Sequence, residues 1–181
     1  LNCKIDIYGN DFKTKTSNNS FLFYTKKSKI NLPLPILPGS HQIENAAVSI
    51  AALRKLKCRK KNLIDSLRNV SWPGRLQKIE KGKLSPQNLG ISGEIFIDGG
   101  HNISAAIALS KWIKSLKEAK LYIIIAMMKN KDLKGFLLPI QPHIHKLFAI
   151  KLNEEENSYN PQYIYKKAQN LKINSQTAES L

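Results

Sequence analysis

Asp98-Gly99-Gly100-His101-Asn102 puts a carboxylate, an imidazole and a carboxamide around two glycines, directly after the apolar run Ile95-Phe96-Ile97. Glycines let the main chain approach a bound molecule closely, and a carboxylate at a strand end can accept both hydroxyls of a ribose. The same residues can equally serve the fold, Asp98 and Asn102 capping the next helix while His101 faces water. His41-Gln42-Ile43-Glu44-Asn45 is a second polar cluster, at the expected start of a helix, where the dipole favours anions. Its alternative is a first turn of polar residues facing solvent. Arg75 is the third candidate. It is one of only four arginines, follows the turn Trp72-Pro73-Gly74, and suits charge-assisted contact with a phosphate, against the plainer alternative of an exposed linker cation. His143 and His145 are two apart and could share a strand face, but no Cys, Asp or third His stands beside them, so they read as structural. Cys3 and Cys58 lie far apart without ligand spacing and suggest neither a disulfide framework nor a zinc site.

The elements that position these groups come from 181 residues, 42% of them hydrophobic, enough for a real core and for one domain or a domain plus part of another. No apolar run approaches the roughly 18 residues of a membrane helix, and no charged segment followed by an apolar one opens the chain. The reading is a soluble, cytoplasmic protein. The net charge of +16 invites comparison with nucleic-acid binders. Lysine, however, supplies 25 of the 29 cations and is scattered along every segment, whereas base readout and phosphate gripping favour clustered guanidinium groups. Nucleic acid is therefore not the expected partner; a positive field of this kind draws in small anions.

Alternation at Ile5 and Ile7 predicts a strand over Cys3 to Tyr8, and Phe21 to Tyr24 predicts a hairpin-like partner beyond the polar tract Lys13 to Ser20. The prolines of Leu32 to Gly39 exclude a helix and predict an extended connector. Ser40 is expected to cap a helix on which Ile43, Ala46, Ala47, Ile50, Leu53 and Leu56 recur at helical spacing. A shorter helix over Asn62 to Asn69 leads to the turn at Trp72, then to an apolar segment Leu76 to Ile79 and a polar surface loop Lys81 to Gly93. From Glu94, short apolar runs alternate with amphipathic helices. Strand Ile95 to Ile97 precedes a helix face at Ala105, Leu109, Trp112 and Leu116; strand Leu121 to Ala126, read as buried on both sides, precedes helix Asp132 to Ile140; strand Leu147 to Ile150 precedes a helix from Asn160-Pro161. That order predicts a doubly wound α/β domain with a mostly parallel sheet. Ser175 to Leu181 reads as the start of another helix, and a chain that opens on Leu1 and closes there reads as incomplete, with its last strand lying beyond.

Taken in order, Leu37-Pro38-Gly39-Ser40-His41-Gln42-Ile43-Glu44-Asn45-Ala46-Ala47, Trp72-Pro73-Gly74-Arg75-Leu76-Gln77 and Phe96-Ile97-Asp98-Gly99-Gly100-His101-Asn102 resemble the successive motifs of folylpolyglutamate/dihydrofolate synthases, a branch of the Mur ligase superfamily. Met127-Met128-Lys129-Asn130-Lys131-Asp132 resembles the motif that follows. The resemblance covers nearly the whole chain, and the set is specific where a lone His-Asn or Pro-Gly-Arg would not be.

It implies an ATP-dependent amide-forming ligase in which residues 1–72 are the tail of a central ATP-binding domain and residues 73–181 a Rossmann-like C-terminal domain, truncated at its end. In that family ATP phosphorylates a folate or dihydropteroate carboxylate, and L-glutamate attacks the acyl phosphate, with Mg2+ neutralising the phosphates. Carried over by motif, Asn45 and Arg75 contact ATP, Arg75 near the phosphates and in a catalytic role. Asp98 holds the ribose, His101 supports the same site as a second catalytic group, and Lys131 and Asp132 are candidates for substrate contact. No GxxxxGK[ST] occurs, so most ligands of ATP and Mg2+ are expected in an N-terminal part outside these residues, no metal ligand is expected within them, and the isolated chain is expected to be inactive. A monomer acting on small molecules is the implied state. Departures from the pattern are Ile103 in place of a usual proline, Gly99-Gly100 in place of Gly/Ala-Ala, Ala126 in place of a common glycine, and a longer loop between Arg75 and Asp98. The nearest competing reading is a Mur-type ligase acting on a cell-wall nucleotide precursor; Gln42 after His41 and the Leu-Pro-Leu-Pro lead-in favour the folate branch.

Overall fold

In the computed structural model, which describes residues 3–116 and 120–178, the chain forms two compact units that divide between Asp98 and Gly99. The first begins with an antiparallel meander of β1 (Phe12–Thr16), β2 (Ser20–Thr25) and β3 (Lys29–Pro33) in that order. Thr16 lies opposite Phe21, and the turn between them is closed by the Ser17 amide donating to the Ser20 carbonyl at 2.8 Å. Alternation along β2 sends Phe21 and Phe23 inward. With Phe12 and Leu32 they pack on Ala47 and Ile50 of α1 (His41–Lys55) and on Leu63 and Leu67 of α2 (Lys60–Asn69).

Two expectations for this unit change. Cys3 to Tyr8 is not a strand beyond a single bridge from Tyr8 to Phe12, and β1 instead occupies the start of the tract read as polar. Ile5 is 74% exposed: an alternating pair of isoleucines holds no strand where no apolar layer receives it. The Asp11 carboxylate accepts from the Ile7 amide at 2.8 Å and turns the chain there. Ser40 precedes α1 as expected, but in a helical conformation and without a side-chain cap hydrogen bond. Leu32 and Pro33 also finish β3 before the rest of the proline-rich segment runs on as a connector.

The strand read at Ile95 to Ile97 is the short β5 (Phe96–Ile97), and it does not join the parallel sheet. It pairs antiparallel with β4 (Gln77–Lys78), inside the first unit. Ile79 donates to the Ile95 carbonyl, and Lys78 pairs with Glu94 across the ribbon.

The second unit is α/β. Its parallel sheet runs β6 (Leu121–Ile125), β7 (Ile144–Ala149), β8 (Ser175–Thr177) in that order, flanked by α3 (Ile103–Ser115), α4 (Leu133–Ile140) and α5 (Pro161–Asn170). Ala106, Ile113, Leu137, Ile140, Leu147, Ala149, Ile164 and Ala168 form its core. Ser175 to Thr177, read as a helix start, is a strand: it lies against Leu147 to Ala149, and the Ala178 amide extends the pairing to the Ala149 carbonyl. Residues 179–181 lie outside the described residues. β6 is covered on one face rather than two, since Tyr122 and Ile124 are each more than half exposed. His143 and His145 are structural: His143 bonds the Ser110 hydroxyl at 3.2 Å, and His145 sits edge-on to Tyr122.

Gly135 fixes how α4 starts. The Asp132 carboxylate caps the helix by accepting from the Gly135 amide at 2.9 Å, and a Cβ at this glycine would overlap that carboxylate and come within 2.8 Å of Ile103 Cγ1. Gly135→Ala therefore both overpacks the contact with α3 and disturbs a cap. A loss of about 2–4 kcal/mol is expected, read as a lower urea midpoint followed by a probe in the second unit.

Candidate functional site

The first unit gathers three separated sequence clusters. α1 starts with His41, and its first turns carry Gln42, Glu44 and Asn45. Arg75 is exposed on the turn before β4, and Asp98 is exposed just after β5. Pairing of β4 with β5 places Gln77 opposite Ile97, which brings the Arg75 turn alongside Asp98. The link is direct: the Asp98 carboxylate accepts from the Leu76 amide at 2.9 Å. Leu76 is buried and has φ +44, a left-handed conformation that a branched side chain rarely adopts. Its burial and the bond from Asp98 hold the strained residue in place. Asp98 thus fixes the backbone from which the Arg75 guanidinium projects.

His41 completes the grouping and was not singled out as a site residue on its own. Its ring rests against Gly39, which has φ +104; a Cβ there would lie 2.6 Å from the ring Cε1. His41 Nε2 is 3.1 Å from the Gln42 side-chain nitrogen, and the Gln42 oxygen accepts from the Asn45 amide at 3.1 Å. Burial lowers the His41 pKa from its ordinary value of 6.5; Asp98 opposes this, Arg75 adds to it, and Glu44 opposes it. The imidazole therefore lies in the field of the same two groups that the sequence motifs named. A lone His between Ser40 and Gln42 carries no such signal in sequence; the glycine two residues before it is the one hint.

The sign of the pH effect follows. With the folded pKa below the unfolded one, the unfolded chain binds more protons once pH falls beneath about 6.5. Stability of the first unit is complete above that value and declines as pH drops toward the folded pKa. Urea midpoints measured at pH 7.5 and pH 5 are expected to fall further in the wild type than in His41→Gln.

The other predicted residues lie in the second unit. Asn102 caps α3 by accepting from the Ala105 amide at 2.9 Å, which is the plainer of its two readings. His101 is exposed, with Nδ1 2.9 Å from the Gly99 carbonyl. Asp132 is the cap of α4, and the Lys131 carbonyl accepts from the Tyr159 hydroxyl at 3.2 Å. These contacts give the latter two residues a structural role at the carboxyl end of β6. Among the described residues no group of three or more His, Cys, Asp or Glu side chains could hold a metal ion.

The chain is similar to known proteins in sequence and in fold. Residues 82–158 match the family described as dihydrofolate synthetase, C-terminal domain. The chain is 29% identical over 153 residues to a dihydrofolate synthase/folylpolyglutamate synthase of Buchnera aphidicola from Acyrthosiphon pisum, covering 82% of this chain and 33% of that protein. It is 30% identical to the dihydrofolate synthetase of Saccharomyces cerevisiae, covering 66% and 29%. The chain thus spans about a third of the length of these curated relatives. Among solved structures it superposes on E. coli FolC in complex with DHPP and ADP with a TM-score of 0.77 and 22% identity, covering 96% of this chain and 38% of that one. Folylpolyglutamate synthase/dihydrofolate synthase of Yersinia pestis complexed with AMPPNP and Mn gives a TM-score of 0.77 at 19% identity, covering 96% and 38%. These likenesses carry the fold.

Proposed function

We propose that the chain, similar as it is to dihydrofolate synthases/folylpolyglutamate synthases, is the nucleotide-facing C-terminal part of an ATP-dependent ligase joining L-glutamate to a folate or dihydropteroate carboxylate. Residues 1–72 close the ATP-binding domain and residues 73–181 form the C-terminal domain in this reading. One observation supports it above the others: three motifs far apart in sequence lie in one unit, the Asp98 carboxylate bonded to the strained turn that carries Arg75, and His41 within the electrostatic reach of both charges.

In the proposed mechanism ATP phosphorylates the carboxylate, and the glutamate amine attacks the acyl phosphate and expels phosphate to leave an amide. Such chemistry needs positioning and charge neutralisation more than covalent help from the protein. Arg75 supplies a planar, permanently charged fork for phosphate oxygens. Asp98 anchors that fork through Leu76 and faces the ribose, and Asn45 offers an uncharged amide to the nucleotide. His101, Lys131 and Asp132 remain proposed contacts, at the supporting and substrate sides. The proposal takes the ligands of Mg2+ from outside these residues. The isolated chain is proposed to be inactive, its P-loop being supplied elsewhere.

The test is a chimera in which this chain replaces the corresponding third of E. coli FolC. Glutamate-dependent ADP release with dihydropteroate or a reduced folate is the expected result. Turnover only with a cell-wall nucleotide precursor would move the chain to the Mur branch, and a folded chimera silent with all of them would overturn the ligase reading.

A further inference from the structure

Three side chains in the first turns of α1 form a directed chain of hydrogen bonds that ends at Asn45. An amide NH2 can only donate. The Gln42 nitrogen lies 3.1 Å from His41 Nε2, and with the amide in this orientation that ring nitrogen is assigned as the acceptor and the single proton of the neutral imidazole to Nδ1. Gln42 is 8% exposed, and its oxygen is thereby turned toward Asn45, whose own NH2 donates to it at 3.1 Å. Asn45 is exposed. Every donor in the series points back toward His41, so the amide of Asn45 keeps its carbonyl oxygen and its second N–H for what lies beyond.

The ring cannot easily rotate to reverse this order. Gly39 packs so closely that a Cβ would lie 2.6 Å from Cε1 and 2.8 Å from Nδ1, and Nδ1 is buried with no hydrogen-bond partner among the described residues. The charged groups whose fields reach the ring are Glu44 on its own helix, Arg75 on the turn and Asp98 after β5. A proton added at Nε2 makes that atom a donor. Gln42 must then turn over to present its oxygen, its NH2 must take the Asn45 oxygen, and Asn45 is left showing N–H groups only.

We propose that His41, acting through Gln42, is a positioning residue that sets Asn45 with its carbonyl and one N–H outward, the pair that matches the amino group and ring nitrogen of an adenine edge and mismatches the oxo group of guanine. This rests on the nucleotide role given to Asn45 above. A well-placed bidentate amide discriminates between bases by about tenfold or more.

The experiment begins on the 15N-labelled chain itself, without ligand. Long-range 1H–15N correlations are expected to show the proton on Nδ1 at pH 7.5, and the Gln42 and Asn45 side-chain amide signals should move together with His41 as pH falls below 6.5. His41→Lys, which can only donate, should show the acid-form Asn45 signals at pH 7.5, while His41→Gln, which retains an acceptor, should keep the neutral ones. A proton on Nε2 at neutral pH, or an Asn45 amide indifferent to the His41 titration, overturns the proposal. In the active chimera, the ratio of kcat/KM for ATP to that for GTP should fall about tenfold in His41→Lys and be kept in His41→Gln; an unchanged ratio overturns the specificity role. A chimera without activity, beside an intact relay in the spectra, counts against the ligase reading and leaves the relay standing.

Discussion

Arg75→Ala in the chimeric ligase is expected to lower kcat by about 10²–10³-fold, the usual cost of removing one preorganised donor from developing charge. The backbone next to Arg75 is fixed: Leu76 is kept at φ +44, buried, with its amide bonded to Asp98. Arg75→Lys should restore only part of the loss, because an ammonium keeps the charge but not the fork. Asp98 allows a finer dissection. Asp98→Asn keeps an oxygen for the Leu76 amide and should leave the turn intact while weakening nucleotide binding; Asp98→Ala removes the anchor as well, and its kcat should approach that of Arg75→Ala. Steady-state kinetics with ATP varied at saturating glutamate reads both. Equal, wild-type rates in all four variants would remove this turn from the active site.

Phe21→Ala is expected to destabilise the first unit by about 3–5 kcal/mol, the range found when a large aromatic is deleted from a closed core. Phe21 is fully buried in the middle strand of the meander, among Phe12, Phe23, Leu32 and residues of both helices. A substitution on the same sheet that leaves this core alone, Lys15→Ala, should change stability by less than about 0.5 kcal/mol. Hydrogen exchange at β2 amides distinguishes the two: protection should collapse in the first variant and persist in the second.

The helices were legible because their signal is repeated. α1, α4 and α5 lie close to where periodicity and capping put them, and Asn160 caps α5 as its Asn-Pro start announced, accepting from the Gln162 amide at 2.8 Å. Short strands were less legible because two or three residues carry no period. β5 looked like the first strand of a parallel sheet and pairs instead with β4, a choice made by the chain returning past the long loop from Lys81 to Gly93. β8 has only Ser, Gln and Thr, and nothing in those side chains announces a strand; its place follows from Ile173 and Ser175 packing beside β7. At the site, the motifs gave Asn45, Arg75 and Asp98 by resemblance, but not the Asp98 bond to Leu76 nor the bearing of Gly39 on His41. Both depend on positive φ values that the chain adopts only once its neighbours are in place.

The two sheets differ in the distance along the chain that each pairing must close. β1, β2 and β3 are joined by tight turns, so every contact in the meander is local. β6, β7 and β8 are parallel, so each pairing waits for a helix to be made and carried across. Local pairings close quickly and crossovers slowly. As the chain leaves the ribosome from its N-terminus, the meander can collapse under α1 while the strands of the parallel sheet are still being synthesised, and refolding from denaturant should show a fast phase at Phe21 and Phe23 ahead of a slower one at Leu147 and Ala149.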